Sequence, residues 1–286
     1  MGKIRESLKN FNELVMFQHS IFSLPFIFIA MVVSAKGWFG FNLLVLGGLA
    51  AVSARNAAMG FNRYVDRRFD AHNPRTANRP SVDGRIGGNA IIAFTFVNAA
   101  LFIGVAYTIN SVAFAVSVPV LIVLLSYSYF KRFSAMAHLV LGLSLGLAPM
   151  AGTIAVSASV PVWSLYLSIG VMFWVAGFDL LYSLQDMAFD KANGLHSIPS
   201  RYGSRVTLNL SLVLHGATLV FWELFVQSAV LGMVAQLGVI LALLMLGYEH
   251  YLVRKDFTKI DRAFFTVNGY LGFVFFGCII LDTLFK

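Results

Sequence analysis

Apolar runs near membrane-spanning length recur along the chain, and the polar residues gather in the stretches between them. The runs fall at 21–33, with a possible start as early as Leu14, then at 43–60, 90–109, 112–130, 136–156, 165–181, 208–225, 229–248 and 264–284. About 20 apolar residues carry a helix across a bilayer. The pattern therefore predicts an all-α membrane protein of about nine transmembrane helices, forming a single domain over 1–286. Lys3, Arg5 and Lys9 precede the first run, and no small-residue cleavage site follows it. That arrangement predicts a retained span and not a signal peptide.

Composition narrows the class. Of the 286 residues, 58% are hydrophobic and 12% charged, and the mean hydropathy is +0.78. Soluble domains carry about twice that share of charge, so a soluble monomer is excluded. The net charge of +8 would suit a nucleic-acid partner, but its placement points elsewhere. Of the 21 Lys and Arg, all but Lys36 and Lys286 fall at the N-terminus, at the end of the second run or in the even-numbered connections. By the positive-inside rule that face is cytoplasmic, as is the N-terminus. The charge is a topology signal for a lipid bilayer, the inner membrane if the source is bacterial, and nucleic acid drops out. The single cysteine, Cys278, rules out an intrachain disulfide or a cysteine metal centre.

The acids follow the same partition. After the second run the chain reads Asn62-Arg-Tyr-Val-Asp66-Arg-Arg-Phe-Asp70, and after the sixth it reads Tyr182-Ser-Leu-Gln185-Asp186-Met-Ala-Phe-Asp190, with Asp179 just before. In both, two acids stand four apart, one helical turn, so both carboxylates leave the same helix face. Arg55, seven residues before Asn62, shares that face. Four spans separate the motifs, and an even number of crossings returns the chain to the same side of the bilayer. Ionisable residues at a membrane are costly and usually functional. Two facing oxygen-rich clusters suit Mg2+, which is held by a few carboxylates plus substrate phosphates. Arg55, Arg75, Arg79, Lys131, Lys191 and Arg201 supply charge-assisted bonds for a diphosphate. A diphosphate with an apolar tail among helices is an isoprenyl diphosphate.

At these residues the chain resembles the UbiA family of intramembrane aromatic prenyltransferases. Asn62, Asp66 and Asp70 match that family's NxxxDxxxD motif, and Tyr182, Gln185, Asp186 and Asp190 match its YxxQDxxxD motif. The stretch from Asn73 through Arg79-Pro80 to Gly84-Arg85 resembles its connector, and Tyr127 to Lys131-Arg132 its short basic loop. Val82-Asp83 departs from the pattern, placing an extra acid near the site. The resemblance implies helices around a central cavity and two Mg2+, one on Asn62, Asp66 and Asp70 and the other on Asp186 and Asp190. It implies that Arg75, Lys131 and Lys191 grip the diphosphate while Arg55 and Tyr182 line the cavity. The reaction implied moves a polyprenyl group from an isoprenyl diphosphate to an aromatic acceptor. The run from Lys191 to Pro199 is similar to a 4-hydroxybenzoate polyprenyltransferase-like subgroup, and a dihydroxynaphthoate on a menaquinone route is the alternative acceptor.

Competing readings are weaker. A secondary transporter places its ionisable residues near the midplane, whereas these cluster at one boundary. CDP-alcohol phosphotransferases pack their aspartates into one contiguous motif. Lys131-Arg132 can act as topology determinants alone, and Arg55 can simply reach toward the interface. The six histidines show no i, i+4 ligand pair, which leaves His196 as the one of interest. Gly142 and Gly146 read as a helix-packing pair. Glu223 and Asp282 read as span ends on the opposite face.

Overall fold

A computed structural model describes residues 2–16 and 22–285. Among the described residues all regular structure is helical, the element that pairs its interior backbone groups within one segment, as a lipid environment requires. A surface helix, α1 (Gly2–Val15), leads to a short apolar helix, α2 (Leu24–Ala35). Then follow α3 (Phe41–Asp70), α4 (Gly88–Ile109), α5 (Ser111–Phe130), α6 (Ala137–Ser157) and α7 (Val162–Ser183). A 3-10 turn over Leu184–Asp186 joins α7 to the short α8 (Met187–Ala192). The chain ends in α9 (Ile198–Ser228), α10 (Met233–Lys255), a π-helical turn at Arg262–Val267 and α11 (Asn268–Leu284).

Eight of these segments are long and apolar enough to cross a membrane; α2, with 12 residues, is a shorter ninth. The expected first span at 21–33 corresponds to α2, and its first residue, Ile21, lies outside the described residues. Because α2 packs against α6 and α11 and buries Phe26, Ile29, Ala30 and Met31, the protein itself shields it from lipid. The remaining apolar surface faces outward: Phe41, Phe96, Val213 and Leu244 are among the exposed large side chains, as expected for a bilayer-facing belt.

Two expectations about the ends of spans change. The first acidic motif does not follow the second span as a loop; it is the last part of α3 itself. At 1.5 Å per residue this 30-residue helix is about 45 Å long, well beyond an apolar core of about 30 Å, so its end carries the motif out of the core as rigid helix. The seventh span begins earlier than expected, since α9 starts at Ile198 behind a capping box in which Ser200 N donates to Ser197 Oγ. Gly203, at φ 78°, breaks α9 after its first turn, a conformation that only glycine adopts cheaply.

Packing explains the rest. Gly142 and Gly146 let α6 lie against α7: a Cβ at Gly146 would sit 2.8 Å from the Ser168 carbonyl oxygen. Asp282, near the end of α11, accepts from the main-chain N–H groups of Gly232, Val234 and Ala235 at 2.6, 3.1 and 3.2 Å. A carboxylate at a helix N-terminus satisfies donors that have no partner within the helix, so this acid fastens α10 to α11 at the end remote from the motifs.

Candidate active site

One cavity of about 430 Å³ runs into the bundle from the end that carries the acids. Small and apolar side chains line its depth, among them Gly47 and Ala51 on α3, Ala106 on α4, Ala113 on α5, and Ala151 on α6. Its mouth is charged. Asn62, Asp66 and Asp70 reach it from α3, and Tyr182, Asp186 and Asp190 from α7, the 3-10 turn and α8. The two motifs thus share one chamber, on the common side that the parity of crossings sets.

Each of the four motif acids faces its own base. Arg75 grips Asp186 with two nitrogens, its Nε at 2.9 Å from Oδ1, and Asn73 Nδ2 adds a bond at 3.0 Å. Arg75 Nη1 also donates to the Tyr182 hydroxyl at 3.0 Å. Arg79 Nη1 donates to Asp70 Oδ2 at 2.7 Å. The other two pairs are longer: Arg132 Nη2 lies 3.3 Å from Asp66 Oδ1, and Lys131 Nζ lies 3.8 Å from Asp190 Oδ2. Asn62 Nδ2 completes Asp66 from one turn away at 2.7 Å. Burial works against the charge on Arg75 and Lys131. The hydrogen bonds and field of Asp186 outweigh it for Arg75, and the field of Asp190 and its neighbouring acids does so for Lys131, so both stay charged with pKa raised above the ordinary values.

The loops that carry these bases are tied to the motifs. His196 N donates to the Lys131 carbonyl oxygen at 2.7 Å, fixing the loop after α5 to the segment after α8. Thr76 Oγ1 donates to the Asp70 carbonyl oxygen at 2.9 Å, folding the connector back over the end of α3.

Arg55 borders the cavity deeper in, and its two terminal nitrogens donate to the carbonyls of Val15 and Met16 at 3.0 and 3.1 Å. Arg63, buried, adds a bond from Nε to the Leu14 carbonyl at 3.3 Å. Together they occupy the carbonyls at the end of α1 and hold it beside the chamber. Lys191 and Arg201 are exposed and do not border the cavity. Asp83 does not reach it either; it pairs with Arg85, which also holds Glu13 at 2.6 Å.

The sequence assigned no site role to Arg63, Asn73 or Arg132, although Asn73 and Arg132 stand in the stretches that resemble the family's connector and basic loop. The signal was present for Arg63, a base one residue from a motif position inside an apolar helix. His196, the histidine of interest in the sequence, does not border the cavity. His138 Nδ1 lies 2.6 Å from Asp179 Oδ2 at the chamber wall. His215 and His250, 35 positions apart, meet ring to ring at 3.0 Å away from the chamber.

The donor set fits Mg2+: four carboxylates and an amide oxygen meet at one mouth, and the buried Asp190 Oδ2 has no hydrogen-bond donor. As the side chains stand, no three acid, histidine or cysteine side chains among the described residues close on a single point.

A bundle of apolar helices around a deep apolar chamber, with paired acids and bases at its mouth, defines an integral membrane prenyltransferase. The chain belongs to the UbiA prenyltransferase family, whose profile matches residues 23–277. Among similar proteins are the 4-hydroxybenzoate octaprenyltransferases of Paracidovorax citrulli (31% identical, covering 88% of this chain and 85% of that one) and of Albidiferax ferrireducens (29%, 86% and 83%). Among solved structures, an apo UbiA homolog from Aeropyrum pernix K1 superposes with a TM-score of 0.84 at 30% identity over 93% of this chain and 98% of that one. A homolog from Archaeoglobus fulgidus bound to GPP and Mg2+ shares the fold at 20% identity, with a TM-score of 0.75 over 94% of this chain and 99% of that one.

Proposed function

We propose that this chain transfers a polyprenyl group from an isoprenyl diphosphate to 4-hydroxybenzoate or a close relative, in quinone biosynthesis and with Mg2+ bound at the acidic mouth. The observation that carries this reading is the union of one apolar chamber with four carboxylates and four bases at its mouth. The names of the relatives support the acceptor, and the Mg2+ named with one solved homolog supports the metal.

In this reading Asn62, Asp66 and Asp70 would hold one Mg2+ and Asp186 and Asp190 a second, which would supply positive charge for a diphosphate. Lys131 and Arg75 meet the diphosphate oxygens with charge-assisted bonds. Aimed at the leaving group, they lower the barrier to breaking the allylic C–O bond. The small side chains of α3 and α6 leave room for the tail, and the apolar wall of the chamber disfavours water beside the allylic cation. Tyr182 is oriented by Arg75 at the mouth, and Arg55 stands where a carboxylated ring would lie if the diphosphate is at the acids. The acidic face is cytoplasmic and, in a bacterium, the membrane is the inner one. Cysteines introduced at Ser134 and Asn193 then label from the cytoplasmic side, and one at Ser159 from the other.

The deciding experiment incubates the purified protein in lipid with a polyprenyl diphosphate and 4-hydroxybenzoate, following pyrophosphate release and product mass with and without Mg2+. Mg2+-dependent release with a prenylated hydroxybenzoate is expected. Release only with a dihydroxynaphthoate would move the acceptor, and no release with either would end the proposal.

A further inference from the structure

The bases at the mouth are not held equally. Arg75 makes three bonds from its guanidinium to Asp186 and Tyr182, and its face lies over the Tyr182 ring. Arg132 is held differently. Its Nη2 donates to the Val65 carbonyl at 2.9 Å, reaches Asp66 Oδ1 only at 3.3 Å, and its Nε is buried without an acceptor. Its guanidinium rests between the rings of Phe69 and Tyr129, 5.3 and 5.1 Å from their centres. The head is therefore kept at the chamber wall by two rings, while its donors remain underused.

Asp66 is occupied on both oxygens, by Arg132 on Oδ1 and by Asn62 on Oδ2. Each oxygen keeps a further lone pair, so a cation can approach beside them, but the positive guanidinium repels it where the neutral Asn62 amide does not. The Asn62 bond is short and lies within α3, so the longer Arg132 contact is the one that yields. A guanidinium released there keeps its Nη2 bond to the Val65 carbonyl, and the N–H donors that this bond leaves over suit phosphate oxygens.

We propose that Arg132 is an exchangeable counter-ion: it neutralises Asp66 in the metal-free chamber and passes to the substrate's diphosphate when a divalent cation takes the carboxylate. This rests on the reading above that the mouth binds metal and diphosphate. Arg132 and metal then compete for Asp66, while metal and diphosphate assist each other, and the assistance is reciprocal by linkage. The competition keeps the acids neutralised without trapping a cation before substrate arrives.

The test uses the full chain in lipid nanodiscs, with Mn2+ read by electron paramagnetic resonance and inorganic pyrophosphate as the second ligand. Arg132→Gln has opposite effects on the two. It binds Mn2+ alone several-fold more tightly than the parent, and at saturating Mn2+ it binds pyrophosphate roughly 10-fold more weakly, the order of one charge-assisted bond. Arg132→Lys returns the Mn2+ affinity toward the parent value without restoring the pyrophosphate affinity in full, because an ammonium lacks the fork. If Arg132→Gln weakens or leaves unchanged Mn2+ binding while the parent binds both ligands, the exchange is wrong and the metal-diphosphate reading stands. If the parent takes up no Mn2+ with or without pyrophosphate, both fall.

Discussion

The molecule holds two polar clusters among its helices, one at the chamber mouth and one behind it, and they are built on opposite rules. At the mouth, acids face bases one to one around open space, and two of the four pairs are long. Behind it, between α7, α9, α10 and α11, the polar groups are buried in the interior. Trp174 Nε1 donates to Asn268 Oδ1 at 2.8 Å, and Asn268 Nδ2 donates to Glu249 Oε1 at 2.7 Å. His215 leans on the Trp174 carbonyl oxygen and on His250, and Trp174, Glu249 and Asn268 are each at most 1% exposed. Here the bonding is largely between neutral groups and each contact fixes one helix against another. Charge beside a cavity can change partners when a ligand arrives; a bond in packed interior has no alternative and serves rigidity. The rigid cluster lies directly behind working surface, since Trp174 packs on Phe178 with ring centres 5.1 Å apart, and Phe178 and Phe264 line the chamber.

That contrast fails if variants in the two clusters behave alike. Asp66→Ala or Asp190→Ala removes a carboxylate from the mouth and leaves the helix packing untouched. Turnover falls by about 100-fold or more, on the scale of losing one electrostatic partner of a leaving group, while the melting temperature in detergent stays near that of the parent. Near-normal turnover at limiting Mg2+ would remove these acids from the site. Asn268→Ala should do the reverse, leaving Trp174 Nε1 and Glu249 Oε1 without partners in a dry interior. It costs about 2–4 kcal/mol of stability, seen as a lower melting temperature, with turnover per folded molecule reduced less than in the aspartate variants. An unchanged melting curve would show the inner network to be dispensable.

Arg55 tests the boundary between the two kinds, because it borders the chamber yet spends its terminal nitrogens on α1. Arg55→Lys is expected to raise the KM for the aromatic acceptor several-fold and spare that for the prenyl diphosphate, the signature of lost uniform binding. If both constants rise together and α1 amides exchange faster with deuterium, its part is to hold α1. The smallest effect lies farthest from the chamber. Hydrogen bonding to Arg85 holds the Glu13 carboxyl below its ordinary pKa. The pair therefore contributes fully above the usual carboxylate range, and the contribution fades as pH falls through the lowered value. Between neutral pH and about pH 3.5, the parent should lose slightly more thermal stability than Glu13→Gln. Equal losses would show that the pair does not fasten α1.

Much of the site could be read along the chain because it depends on counting. Span length follows from bilayer thickness, and the side on which a motif lies follows from the parity of crossings. The i, i+4 spacing sets two carboxylates on one helix face, and those constraints placed Asp66, Asp70, Asp186 and Asp190 together before any contact was known. The same arithmetic could not rank the bases. Lys191 is next to a motif acid in sequence and points away from the chamber, while Arg132, equally basic and equally near a span end, turns into it.

Sequence alone thus determined the helical class, the common side of the two motifs and the chemistry that suits the acids, and it marked Gly142 and Gly146 as a packing pair without saying which helix they meet. Tertiary structure decided which base meets which acid, that α1 is tied down by Arg55 and Arg63, and that His215 and Glu249 belong to one buried network. The physical reason is range. Periodicity and topology are properties of a segment and its length, whereas a hydrogen bond between distant helices depends on how each is rotated about its axis and how closely small residues let it approach its neighbour. That rotation is fixed only when all the helices pack at once.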